Sequence, residues 1–228
     1  FVVNLSSGDK CMYTSNYIEQ IPKGNIKSIK LQTEMVTLED YERTELQNAR
    51  TDYVITQIQS DKSIISLESS SHAHRMSFVN PVKELYFIIQ GINDNTSYFD
   101  YDHETLVLND KYINFEHLVN LQMRLDDSTI LDEITGNVIH LRALQSGVHH
   151  SRTQLFRRFY SYSFALEPER WYPTGQVNFS LIKEQHVNIK LNAYPSDREF
   201  RVYALSYNIL RIGNGTASLL FQSGENID

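Results

Sequence analysis

The chain has 228 residues, 41% apolar and 21% charged, enough to bury a sizeable core and far from the composition of a disordered polymer. Lysine and arginine number 21 against 28 aspartates and glutamates, a formal charge of −7 that argues against a general nucleic-acid binder with its concentrated basic face. The one cysteine, Cys11, excludes an intrachain disulfide and favours a reducing compartment. No apolar run approaches the ~20 residues of a membrane-spanning helix, so direct membrane insertion is not expected.

Residues 1–5 (FVVNL) and 26–38 (IKSIKLQTEMVTL) read as strands, separated by a polar loop holding Gly8, Asp9, Pro22 and Gly24. Because the first strand opens the sequence, the chain is expected to be a piece of a longer polypeptide. Residues 39–50 (EDYERTELQNAR) lack glycine and proline and carry acids in the first turn, which predicts a short helix. Strands resume at 53–59, 84–90, 117–125, 159–166, 186–191, 200–212 and 216–221. Short β runs with little other helix predict an all-β sandwich or jelly roll. Residues 60–80 and 126–157 read as long loops, natural inter-subunit arms.

Alternation refines this picture. In 186–191, Val187, Ile189 and Leu191 share one face and polar groups the other, His186 among them, so one side should meet water. In 200–212 both faces are apolar: Val202, Ala204, Leu210 and Ile212 on one, Tyr203, Leu205, Tyr207 and Ile209 on the other. The run 84–90 (ELYFIIQ), Ile88 included, behaves alike. Such strands need cover outside the sandwich, from a neighbouring subunit or domain. Asn214-Gly215 supplies the positive φ angles of a tight hairpin between the last two strands. In 158–180, Tyr160, Tyr162, Phe164 and Leu166 alternate onto one face, and Pro173 and Gly175 suit a turn.

Four segments in register resemble the major capsid proteins of nucleocytoplasmic large DNA viruses. Residues 158–180 (RFYSYSFALEPERWYPTGQVNFS) resemble that family's "YSFAL-P-E…PSG-NFS" signature, with Thr174 in place of serine. Residues 31–59 resemble its strand–"LD-ER"–helix–"EYLI-Q-Q" segment. Residues 80–90 (NPVKELYFIIQ) resemble "HPVKEL-W-IQ", with Asn80 and Phe87 replacing histidine and tryptophan. Residues 202–221 resemble its closing strands, and HHSRTQ at 149–154 a loop before "YSFAL". The resemblance implies a double jelly roll. Residues 1–38 would be terminal strands of a preceding jelly roll, 39–50 a linker helix and 51–228 the C-terminal jelly roll. It further implies a structural protein of the virion, assembled in the host cytoplasm as homotrimers that meet neighbouring capsomers and minor capsid proteins.

The residues offer little chemistry against this reading. His72 and His74 have the strand spacing of a cupin metal pair, but the accompanying glycine and glutamate positions are filled by Leu67, Ser77 and Phe78. SSSHAHR reads as an exposed loop. His149 and His150 are adjacent and point apart on an extended chain. Glu167 and Glu169 flank Pro168 and read as solvated turn residues, not glycosidase carboxylates. Arg152, Arg157 and Arg158 read as a solvated or salt-bridged edge. Gly213-Asn214-Gly215 is hairpin chemistry, and the sequons at Asn4, Asn95, Asn178 and Asn214 are near chance. Trp171 and Tyr172 suggest a sugar-stacking platform, with aromatic packing at a strand end preferred. No catalytic, cofactor-binding or metal residue is therefore expected. The rival functions are a carbohydrate-binding β-sandwich module and a cupin-like metalloenzyme.

Overall fold

The computed structural model describes residues 28–92, 105–108, 111–114, 116–152 and 158–221, so the strand expected at 1–5 lies outside the described residues. Helix α1 (Asp40–Asn48) opens with a capping box in which the Glu39 N–H donates to Glu42 Oε2 at 3.1 Å. None of its residues is buried. Among the described residues twelve strands follow: β1 (Thr51–Ile65), β2 (Ser71–Arg75), β3 (Pro81–Gly91), β4 (Thr105–Leu108), β5 (Lys111–Asn114), β6 (Leu118–Leu125), β7 (Ser128–Leu131), β8 (Phe159–Ser163), β9 (Val177–Asn178), β10 (Gln185–Leu191), β11 (Arg198–Gly213) and β12 (Thr216–Leu219).

Two antiparallel sheets face each other. The first runs β1-β11-β3-β8, with β12 paired to β11 and β9 to β3, and the second runs β2-β10-β6-β7. Counting only these eight strands in chain order, the sheets read 1-8-3-6 and 2-7-4-5, the order of a jelly roll. Between them lies one core. Phe87 and Phe200 are both fully buried and stack with centroids 6.4 Å apart, and Leu85, Leu121, Met123, Val187 and Val202 close around them. Buried Gln185 bridges the sheets at one end, its Nε2 donating to the Phe78 carbonyl at 2.8 Å while its Oε1 accepts from the Phe78 N–H at 3.0 Å.

Several expectations need correction. Ser71–Arg75 is a strand, not an exposed loop, and its His74 is buried at 7% exposure. Residues 28–38 form no strand here, because no segment of the described chain lies alongside to take up their backbone hydrogen bonds, and Met35 and Val36 stand in solvent. Strand β8 ends at Ser163, so Leu166 turns outward to 75% exposure instead of sharing the core face with Tyr160. Neither run is one long loop: β1 continues to Ile65 and β2 follows, while the described part of 126–157 contains β7 and a helical strap. The strap is one π-helical turn (His140–Leu144) running into α2 (Gln145–His149), with Leu141 and Ser146 as its buried residues. Ile88 is already buried at 7% exposure in the single chain, and Arg158 is buried, not solvated.

The strap is launched by a tight corner. Asp132 Oδ1 accepts the N–H groups of Ile134 and Thr135 at 2.9 and 2.7 Å, which holds its carboxyl below the usual range. Gly136 then passes so close to β6 that a Cβ there would sit 1.7 Å from the Leu121 carbonyl oxygen. Gly136→Ala is expected to force the corner off β6 and cost about 2 kcal/mol, measurable by urea denaturation. The last hairpin is as the sequence requires: Gly213 pairs with Thr216, and Asn214 and Gly215 take φ of 52° and 72°.

Candidate assembly surface

The outer face of the first sheet is built by register. Ile58 lies across from Leu205, Leu205 from Glu84, and Glu84 from Ser163, so these four side chains form one row pointing away from the core. The next row on one side places Ser60, Tyr203, Tyr86 and Ser161 together, and on the other side come Thr56 beside Tyr207 and then Val54 beside Ile209.

The two halves of this face are treated differently. Over β3 and β8 lies the strap: Gln145 Oε1 accepts the Ser163 N–H at 3.1 Å, the Ser146 and Ser161 hydroxyls meet at 3.3 Å, and His150 Nε2 reaches Glu84 Oε1 at 2.6 Å. Over β1 and β11 the described residues supply no such cover. Val54, Ile58 and Ile64 are 52%, 71% and 53% exposed, with half-buried Leu205 and Ile209 beside them. The two-sided apolar character of β11 is thus real, and part of the cover that a neighbour was expected to supply comes from the chain's own strap.

Two further apolar surfaces flank this face. The segment after β8 is held stiffly: Phe164 and Ala165 N–H donate to the Lys83 carbonyl, the buried Lys83 ammonium donates to the Pro168 carbonyl at 2.7 Å, and Thr174 Oγ1 meets both backbone groups of Glu167 at 3.0 Å. Burial pulls the Lys83 amine below its ordinary pKa. The loop so fixed displays Leu166 and Trp171, the latter 87% exposed and not packed at a strand end as expected. Trp171 and Tyr172 stand at 88° to one another and offer no common flat face on which a sugar ring could lie. Beside the strap, Val119, Ile134, Ile139 and Leu144 line an open groove of about 520 Å³.

The candidate chemical residues are used structurally. His72 Nε2 pairs with Ser63 Oγ at 2.8 Å, and His74 Nε2 lies 3.4 Å from Asp61 Oδ2, so the two imidazoles close the edge between β2 and β1, both edge-on to Phe200. Burial, then the neighbouring His74, lowers the pKa of His72. His186 is half-exposed and pairs with Glu184 at 2.7 Å. Glu167 and Glu169 are exposed, the first paired with Arg170 and the second near His150. Asn178 accepts the Ser180 N–H. Among the described residues no three His, Cys, Asp or Glu groups are placed to hold a metal ion. No helix among the described residues is long and apolar enough to cross a membrane. Sequence reasoning missed the partners of His149 and His150: His149 Nδ1 reaches the Leu166 carbonyl at 2.9 Å, and His150 sits between two carboxylates.

The sequence profile of the large eukaryotic DNA virus major capsid protein family matches residues 42–218. The major capsid protein of Pyramimonas orientalis virus is 25% identical over 232 aligned residues, covering 97% of this chain and 54% of that protein. That of Phaeocystis pouchetii virus is 32% identical over 101 residues, 42% of this chain and 17% of that protein. The chain thus spans about half the length of the first of these relatives, and a much smaller part of the second is matched. Among solved structures, the PBCV-1 virus capsid superposes with a TM-score of 0.66 at 19% identity, over 81% of this chain and 55% of that one. The Faustovirus major capsid protein gives 0.58 at 13% identity, over 77% and 36%. These likenesses carry the jelly-roll fold, and the profile match carries the kinship: the chain belongs to the large eukaryotic DNA virus major capsid protein family.

Proposed function

We propose that this chain is the C-terminal part of a structural major capsid protein that acts by self-assembly, without catalysis, cofactor or resident metal. In this reading residues 51–228 are the second jelly roll of a double jelly-roll subunit, 39–50 link the two rolls, and 1–38 contribute terminal strands to the first. Helix α1, exposed on every side, suits a segment lying between two bodies. Three subunits would form a pseudo-hexagonal capsomer in the virion shell, assembled in the host cytoplasm and contacting neighbouring capsomers and minor capsid proteins. The acidic balance of the chain gives no support to a nucleic-acid partner.

The observation that carries this reading is the uncovered apolar face along β1 and β11. An obligate subunit interface needs a broad apolar centre with a polar rim, and Val54, Ile58, Leu205 and Ile209 supply such a centre. Ile58→Asp tests it. At 71% exposure Ile58 contributes little to the folded chain itself, so the thermal midpoint should move by only a few degrees. Native mass spectrometry of the full-length variant should then show monomer where the parent protein gives trimer. A variant that still forms trimers would remove this face from the interface.

A further inference from the structure

We propose that residues 140–150 form a pH-sensitive strap, pinned over the outer face of the first sheet by His150 while its imidazole is protonated and released when it is not.

Three elements meet at this ring. From β3 comes Glu84, whose side chain is 1% exposed; its Oε1 lies 2.6 Å from His150 Nε2, and its Oε2 accepts the Tyr86 hydroxyl at 2.8 Å. From the loop after β8 comes Glu169, with Oε1 3.5 Å from His150 Nδ1. The strap itself supplies His150, the residue that ends α2, and the Tyr86 ring packs beside the imidazole with centroids 6.3 Å apart. The other charged groups nearby are engaged elsewhere. Lys83 donates to the Pro168 carbonyl, Arg170 pairs with Glu167, and His149 meets the Leu166 carbonyl.

Each ring nitrogen therefore faces a carboxylate. A neutral imidazole carries one N–H and one lone pair, so either tautomer turns a lone pair toward one of the two anions. Only the doubly protonated ring serves both. Losing the proton also takes from the buried Glu84 carboxylate the cation hydrogen-bonded to it and leaves only the more distant attraction of Lys83, which burial makes costly. The geometry agrees with the direction in which His150 is perturbed: its pKa is raised, first by the hydrogen bond it donates to Glu84, with burial opposing. A histidine with a raised folded-state pKa stabilises the closed strap fully below its unfolded value, and that contribution is lost as pH rises through the folded value. The strap closes in mild acid and loosens toward alkali.

Hydrogen exchange followed by mass spectrometry tests this on the chain and on two variants, with rates corrected for the intrinsic effect of pH. Between about pH 6 and about pH 9, strap amides such as His150 N–H, bonded to the Ser146 carbonyl, should lose protection, because closure weakens as the proton leaves His150. Amides of β10 and β11 should hold theirs. Glu169→Gln alters an exposed residue and leaves one neutral tautomer able to serve Glu84, so its strap should stay closed with a much smaller pH step. His150→Gln should remove the step altogether. Strap protection that does not change with pH in the parent chain would overturn the assignment. So would an equal step in Glu169→Gln, or strap and core strands losing protection together. If His150→Gln does not fold, proton NMR of His150 in the parent chain decides: titration no higher than in the urea-unfolded chain sinks the idea.

Discussion

Phe200→Ala is expected to cost about 3–5 kcal/mol, the range for removing a large aromatic side chain from a packed interior. Phe200 is completely buried near the start of β11, stacked parallel to Phe87 across the strand pairing and met edge-on by His72 and His74 from the opposite sheet. Its removal empties the space that both sheets share, and the rings around it belong to two strands, one in each sheet, that cannot both close in. Against a typical domain stability of about 5–15 kcal/mol the loss is severe. Urea denaturation should show a lower midpoint with an unchanged slope. A loss below about 1 kcal/mol would mean that the two sheets do not pack through this ring.

Arg198 is the next most sensitive position. It is the largest fully buried side chain, at 0% exposure where β11 begins. Its Nη1 donates to the Asn192 carbonyl at 2.8 Å, its Nη2 to the Ser69 carbonyl at 2.7 Å, and the guanidinium lies over the Tyr194 ring. Two loops at one end of the sandwich thus hang on one planar cation. Net hydrogen bonds from a charged donor are worth about 1.5–3 kcal/mol each, so Arg198→Met should cost about 3 kcal/mol. Lysine should recover less than half of that, since a single ammonium cannot reproduce a fork aimed at two carbonyls. Thermal denaturation of the three proteins side by side checks the ordering, and lysine matching arginine would refute the two-carbonyl role.

What the sequence disclosed follows from how local each signal is. The alternation of Val187, Ile189 and Leu191 and the Asn214-Gly215 turn are properties of a few adjacent residues, and both appear in the structure where they were read. Strand β2 was hidden because its inward positions are His72 and His74, which look polar until Ser63 and Asp61 on β1 are seen to receive them. The strap was hidden for the opposite reason. Ile139, Leu144 and Val148 are all exposed, and the anchors are Leu141, Ser146 and His150, so no amphipathic period marks it. The candidate surface was legible as a need for cover on β11. That the neighbouring strand β3 is covered by the chain itself depends on Gln145, Ser146 and His150 meeting residues on β8 and β3, and no local pattern encodes this.

The pairing of β1 with β11 sets when this subunit can fold. Thr51 lies opposite Ile212, so the first strand of the main sheet waits for a partner made almost at the end of the chain. At translation rates of about 5–20 residues per second, roughly ten to thirty seconds separate the synthesis of the two. Hydrophobic collapse needs only microseconds, so β1 and β3 emerge, collapse and stand with open edges long before their central partner exists. The second sheet gives little relief, because β10 lies between β2 and β6 and is also made late. A nascent chain stopped before Arg198 has no scaffold for either sheet edge of β11. The cost of this topology falls on the ribosome-bound chain, whose yield should depend on chaperone capacity and improve when translation and growth are slowed by cooling.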